Sequence, residues 1–175
     1  MMNEITCCFT GHRKISQDKY TELRRRLTEE IDRAYEKGYR RFLCGGALGF
    51  DTLCADTVVE KRKKHPDISL VLVIPCMGQY EQWSAEDKAV YDRIYSECDE
   101  CYCMSEFYYE GCMHQRNRAM VDDSSLCIAY LERENSGTAY TYNYARENQL
   151  TVINLADSKS DANDAPKSIQ GDESK

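Results

Sequence analysis

The run Ile68-Ser-Leu-Val-Leu-Val-Ile74 constrains this chain more than any other segment. Six of its seven residues are apolar and four are β-branched. A strand without polar alternation is buried on both faces, which requires helices on either side of a parallel sheet. Pro75 then ends the strand. The flanking pattern supplies the helices. Tyr20, Leu23, Leu27, Ile31 and Ala34 recur at intervals of three and four, predicting an amphipathic helix with Ser16 as its N-cap and Gly38 as its stop.

Further elements follow in alternation. Glu4–Phe9 and Arg41–Cys44 read as strands, and 51–64 as a helix that Pro66 prevents from continuing. A helix is expected over Gln82–Glu97, with Trp83, Val90, Tyr91 and Ile94 on its buried side. Glu100–Met104 reads as a weaker strand, Met113–Asp122 as a helix and Leu126–Leu131 as a strand. Thr138–Asn148 reads as a helix and Thr151–Leu155 as the last strand. Strand–helix alternation with short links predicts an open, doubly wound α/β domain. Its sheet is mostly parallel, with helices on both faces. The domain is expected over residues 1–155. From 156 to 175 the composition turns to Ser, Asp, Asn, Lys and Pro, and a disordered tail is expected there.

At 175 residues, one domain is the natural size. The 23 Lys and Arg against 30 Asp and Glu leave a formal charge of −7, which argues against a general nucleic-acid binder. No apolar run approaches the roughly 18 to 20 residues of a membrane span, and the first residues carry no basic and apolar leader pattern. A cytoplasmic, soluble protein is therefore expected. Ten cysteines would suggest a disulfide framework in a small secreted domain. Here several sit inside apolar runs, where a thiol behaves as a small buried hydrophobe. Cys98-x-x-Cys101 with Cys103, Cys112 and His114 has partial zinc spacing, but Cys112-x-His114 is too tight for a usual ligand pair. No metal is expected. The run Lys61–Lys64 falls in the last turn of a helix, where cations complement the dipole.

In an open parallel sheet, ligands bind outside the carboxyl ends of the strands. Four unusual segments fall there: Thr10-Gly11-His12-Arg13, Gly45-Gly46-Ala47-Leu48-Gly49-Phe50-Asp51, Arg116-Asn117-Arg118 and Ser136-Gly137-Thr138. Five of the nine glycines lie in them. Glycine is needed where backbone approaches a ligand closely or takes positive φ, and helix-start amides make anion sites. The second loop is neither a Walker A sequence nor a dinucleotide fingerprint. With Arg13, Arg116 and Arg118 beside them, these loops suit a phosphate-bearing small molecule.

Together with Phe9 and the continuation Ala119-Met120-Val121-Asp122, these segments resemble the YpsA-type branch of the SLOG superfamily. That superfamily groups DprA/Smf proteins with the LOG phosphoribohydrolases. The resemblance covers about residues 4–155. It implies a Rossmann-like fold binding a nucleotide or nucleotide-derived ligand, of the ADP-ribose class by similarity to the superfamily, with no further cofactor required. It also suggests a homodimer and a protein partner regulated by the ligand. Two departures stand out. Ser136 replaces the first glycine of the usual Gly-Gly-Thr loop. Thr141 stands where LOG enzymes carry the glutamate of N-glycosidic cleavage.

The ligand-binding set expected from these readings is Gly11, His12, Arg13, Gly45, Gly46, Gly49, Asp51, Arg116, Asn117, Ser136, Gly137 and Thr138. Arg13 and Arg116 would neutralise phosphate. Asp51 would either cap its helix or take a ribose hydroxyl or metal. His12 lies in a loop and is expected to contact phosphate or solvent rather than the core. Arg116 and Arg118 point to different helix faces, so at most one reaches the ligand, and Asn117 would bond backbone or base. Trp83 and the tyrosines at 108, 109, 140, 142 and 144 are expected to pack rather than to stack bases. A ligand-binding module is the leading expectation. The alternatives are a nucleotide hydrolase using Asp51 or Glu110, and a DprA-like nucleic-acid binder.

Overall fold

Strand and helix alternate throughout residues 5–157, which the computed structural model describes. In chain order the elements are β1 (Thr6–Gly11), α1 (Gln17–Glu36), β2 (Arg41–Cys44), α2 (Phe50–Lys64), β3 (Ser69–Ile74) and α3 (Ala85–Glu97). They continue with β4 (Glu100–Cys103), α4 (Cys112–Asp122), β5 (Leu126–Tyr130), α5 (Gly137–Glu147) and β6 (Thr151–Asn154). All strand pairs are parallel, in the order β4-β3-β2-β1-β5-β6. The sheet is therefore a doubly wound α/β sheet of the Rossmann type. Strand order reverses at β1, and the crevice of such a sheet lies at that reversal.

Period-two alternation distributes β3 between two cores. Leu70 and Leu72 pack with Leu27, Ile31, Phe42, Phe50 and Val58 on the α1–α3 face. Val71 and Val73 pack with Leu43, Met120, Val121 and Ala129 on the α4–α5 face. Both faces of β3 are thus dry, as its composition requires. Seven cysteines (7, 8, 44, 54, 76, 112 and 127) are buried. Burial pushes the thiols of Cys7, Cys44 and Cys54 well above their ordinary value, so they remain protonated.

Several expectations need correction. Leu23, Leu27, Ile31 and Ala34 form the buried stripe of α1, but Tyr20 is 41% exposed and outside it. Gly38, at φ +100°, does end that helix. α3 starts at Ala85 rather than Gln82, because Ser84 Oγ accepts the Asp87 amide at 3.1 Å. The Ser84-x-x-Asp87 pattern is a capping signal that takes precedence over the apolar spacing. Trp83 therefore precedes the helix and packs edge-on against Tyr80 and Tyr91. Cys103 is exposed, because β4 is the sheet edge. The cations 61–64 do lie in the last turn of α2, and three of them are also paired: Lys61 with Asp32, Arg62 with Asp99 and Lys63 with Glu60. The expected tail falls outside the described residues from 158 onward.

Candidate functional site

The turn after β2 is built around two opposed charges. Gly45 has no room for a side chain: a Cβ would lie 2.6 Å from Arg116 Nη1 and 2.8 Å from Asp51 Oδ2. Gly49, at φ +76°, is the N-cap of α2, so Asp51 falls within the first turn rather than at the cap. Its Oδ2 accepts the Ala47 amide at 3.1 Å. The carboxylate is buried, and desolvation raises its pKa against the pull of Arg116, the Ala47 amide and Arg13. An acid of the protein's own thus stands at the positive end of α2.

Arg116 is 4% exposed. Its Nη1 donates to the carbonyls of Gly45 and Val73, tying the ends of β2 and β3 to α4. Its Nε donates to Asn117 Oδ1 at 2.7 Å. Burial lowers the pKa of this guanidinium, and Asp51 opposes that shift. Arg116 was expected to meet phosphate, but most of its hydrogen-bonding capacity is committed to the protein. Arg118 points elsewhere and donates to Tyr140 Oη at 2.8 Å.

His12 departs furthest from expectation. It is 4% exposed and acts as a clamp. Its carbonyl accepts the Phe50 amide at 3.1 Å. Its Nε2 accepts the amides of Glu132 at 2.9 Å and Arg133 at 3.3 Å, so that nitrogen carries no proton. Nδ1 lies 3.4 Å from Thr138 Oγ1. One residue therefore joins the end of β1, the start of α2 and the loop entering α5. Burial lowers its pKa from 6.5, Arg133 lowers it further, and Glu132 partly opposes them. The folded state binds this proton less readily than the unfolded chain. The clamp's contribution is therefore fully present above pH 6.5 and is lost as pH falls from there through the folded value. Urea denaturation should show wild type losing more stability than His12→Asn between pH 7.5 and 5.5. Parallel pH slopes for the two proteins would contradict the clamp. His12→Leu, which leaves the two amides without their acceptor, should cost about 1–3 kcal/mol at pH 7.5.

Above these groups lies a cleft of about 410 Å³, within the usual range for small-molecule sites. Ten of the twelve expected residues line it: Gly11, His12, Arg13, Gly45, Asp51, Arg116, Asn117, Ser136, Gly137 and Thr138. Gly49 is required by close packing against the Arg13 carbonyl instead. Gly46 borders a water-sized neighbouring hollow with Leu48, Trp83 and Tyr91. The cleft adds Lys14, Arg133, Met113 and His114, which the sequence reading missed. Lys14 and Arg133 carried a signal, as cations in loops leaving β1 and β5.

Arg13, Lys14 and Arg133 are exposed, and their side chains form no ion pair or hydrogen bond among the described residues. Asp51 is the one acid in the lining. At the start of α5, Ser136 Oγ takes the Ala139 amide at 3.1 Å. The Gly137 and Thr138 amides, first in the helix, have no intrahelical acceptor. Nothing lies within 4 Å of where a Gly137 Cβ would be. Thr141 Oγ1 donates back to the Gly137 carbonyl at 3.1 Å, and Glu110 is not part of the lining. Among the described residues, no three His, Cys, Asp or Glu side chains come together as a metal set. No helix among them is long and apolar enough to cross a membrane.

Comparison with known proteins is consistent with this architecture. An uncharacterised SPbeta prophage-derived protein, YoqJ, of Bacillus subtilis is 32% identical over 122 residues, covering 63% of this chain and 71% of its own. A UPF0398 protein of Halalkalibacterium halodurans is 26% identical, covering 74% and 70%. One from Brevibacillus brevis is 24% identical, and the chain spans about three-fifths of its length, 63%. Among solved structures, DNA processing protein A of Helicobacter pylori, described for its single-stranded DNA binding mode, superposes with a TM-score of 0.62 at 18% identity. The match covers 86% of this chain and 64% of that one. DNA processing protein A of Streptococcus pneumoniae gives 0.61 at 18%, covering 84% and 48%. These two likenesses show a shared fold. The sequence model of the YspA SLOG family matches residues 7–156, from within β1 to just past β6, and the chain belongs to that family.

Proposed function

We propose that the cleft binds a nucleotide or nucleotide-derived small molecule, with its phosphate at the start of α5. One observation carries this reading: three exposed cations, Arg13, Lys14 and Arg133, unpaired among the described residues, share the cleft with the open first turn of that helix. Helix-start amides and guanidinium groups together favour phosphate. The start of α2 is the poorer seat, because the Asp51 carboxylate already stands there. The remainder of the ligand would extend past Asp51 toward α4. Binding without turnover is the preferred form of the proposal. Threonine holds position 141, and the one carboxylate of the lining is packed beneath its own loop. A cytoplasmic setting and a ligand-regulated protein partner, in a dimer or otherwise, belong to the same proposal.

A thermal-shift and calorimetry panel of nucleoside mono- and diphosphates and ADP-ribose tests it. Ligand at a hundred times its Kd stabilises by about 2.7 kcal/mol, which for a chain of this size raises Tm by roughly 5–10 °C. Arg13→Ala should weaken that binding by about 10- to 100-fold, the value of a charge-assisted contact. If no compound shifts Tm at millimolar concentration, the proposal fails. Salt-dependent binding of single-stranded DNA with no small-molecule binding would replace it with a nucleic-acid function.

A further inference from the structure

The wall of the cleft formed by α4 carries a polar group with a forced orientation. Arg116 can only donate hydrogen bonds, and its Nε meets Asn117 at 2.7 Å. The atom it meets is therefore the amide oxygen, Oδ1. Arg116 cannot move away, because it is buried and its Nη1 is held by the Gly45 and Val73 carbonyls. The free end of Asn117, a residue of the cleft lining, is then its Nδ2 amino group, which has no partner among the described residues. Met113, His114 and Met120 lie on the same wall, offering apolar and aromatic surface of the kind a base face covers. The cations and the α5 start belong to other elements of the same cleft.

We infer that Asn117 determines base specificity by presenting Nδ2 as a fixed donor, and so selects a nucleotide whose base carries a carbonyl, such as guanine, over one that carries an amino group there. The assignment rests on the nucleotide reading of the cleft. Asparagine recognises adenine by using both ends of its amide, oxygen to the amino group and nitrogen to N7. With Oδ1 held by the buried Arg116, the amide cannot turn freely to present both ends to one base, and Nδ2 is the end left to meet it. An exocyclic amino group opposite Nδ2 sets donor against donor, whereas an exocyclic carbonyl completes a hydrogen bond.

Calorimetric titration of the full chain with GMP and with AMP tests this, the measured quantity being the ratio of their dissociation constants. Wild type should bind GMP at least about tenfold more tightly, the scale set by one directional contact in a desolvated site. Asn117→Asp keeps an acceptor for Arg116 Nε and turns the free end from donor into acceptor. Its added charge weakens both monophosphates alike and cancels in the ratio, so the preference should vanish or invert. An equal Tm for the variant and wild type would confirm that the Arg116 contact survives. Equal binding of GMP and AMP by wild type overturns the inference and leaves the nucleotide reading standing. A preference unchanged in Asn117→Asp, or lost equally in Asn117→Asp and in a distant control such as Lys88→Ala, also overturns it. Binding of neither monophosphate, with Tm unchanged at millimolar concentration, removes the nucleotide reading and the inference together.

Discussion

Gly49→Ala is expected to destabilise the protein by about 3–5 kcal/mol, combining backbone strain with overpacking of a closed site. Gly49 sits at φ +76° and ψ −116°, a combination that residues with a Cβ avoid. Its missing side chain faces the Arg13 backbone: a Cβ would overlap the Arg13 carbonyl and carbonyl carbon. A flexible side chain could swing aside, but this backbone cannot, because neighbouring His12 is held by the Phe50 amide and by Glu132 and Arg133. Tm should fall on the order of 10 °C, with a matching drop in the urea midpoint. The displaced segment carries Arg13, so nucleotide binding should weaken as well. Gly137→Ala provides the contrast, since its added methyl meets nothing within 4 Å and its φ is ordinary. Its unfolding free energy should stay within about 0.5 kcal/mol of wild type. A loss below 1 kcal/mol in Gly49→Ala would refute the close-packing account of this loop.

Arg116→Met should be comparably damaging, at about 3–5 kcal/mol, the usual cost of removing one member of a buried charged network. The thioether fills much of the volume but offers no donor. The Gly45 carbonyl, the Val73 carbonyl and Asn117 Oδ1 lose their partner, and Asp51 loses the nearest cation opposing its desolvation. The pKa of Asp51, already raised, would rise further. A carboxyl with its folded pKa above its unfolded value of 3.8 binds its proton more readily when folded. Its contribution to stability therefore falls as pH rises through the folded pKa and is recovered on acidification toward 3.8. The deficit of Arg116→Met relative to wild type should thus shrink between pH 7 and pH 5. Asp51→Asn in the Arg116→Met background should also restore part of the loss. Strict additivity in that double-mutant cycle would show that the two charges are not coupled across Gly45.

Most of the scaffold was legible because its signals are local. The α1 stripe at Leu23, Leu27 and Ile31 needs only helical spacing. β3 declares burial on both faces by lacking polar alternation. The loop residues around the cleft were legible for a related reason, since any parallel sheet places the carboxyl ends of its strands at one edge. His12 was not legible. Its burial depends on the amides of Glu132 and Arg133, more than a hundred residues away, and only the adjacency of β1 and β5 brings them together. Strand order is a tertiary property that periodicity does not encode. The same limit applies to Arg116. A motif with two arginines suggests anion contact, but its depth below the surface follows from where α4 packs on the sheet. The start of α3 is a different case, because its signal is local: the Ser84-x-x-Asp87 cap is written in the sequence itself.

The position of β1 at the reversal of strand order has a consequence for chains emerging from a ribosome. β2, β3 and β4 can assemble beside one edge of β1 as soon as they appear. The other edge waits for β5, whose first residue follows the end of β1 by more than a hundred positions. Until then the nascent half-sheet presents an unsatisfied row of backbone groups from Cys7 to Gly11, a template for pairing with another chain. The cations at 13 and 14 are made early, but the helix start they share the cleft with follows them by more than a hundred residues. A product truncated before β5 would thus lack the cleft and keep the adhesive edge, so ligand binding would report that synthesis had passed both β5 and α5.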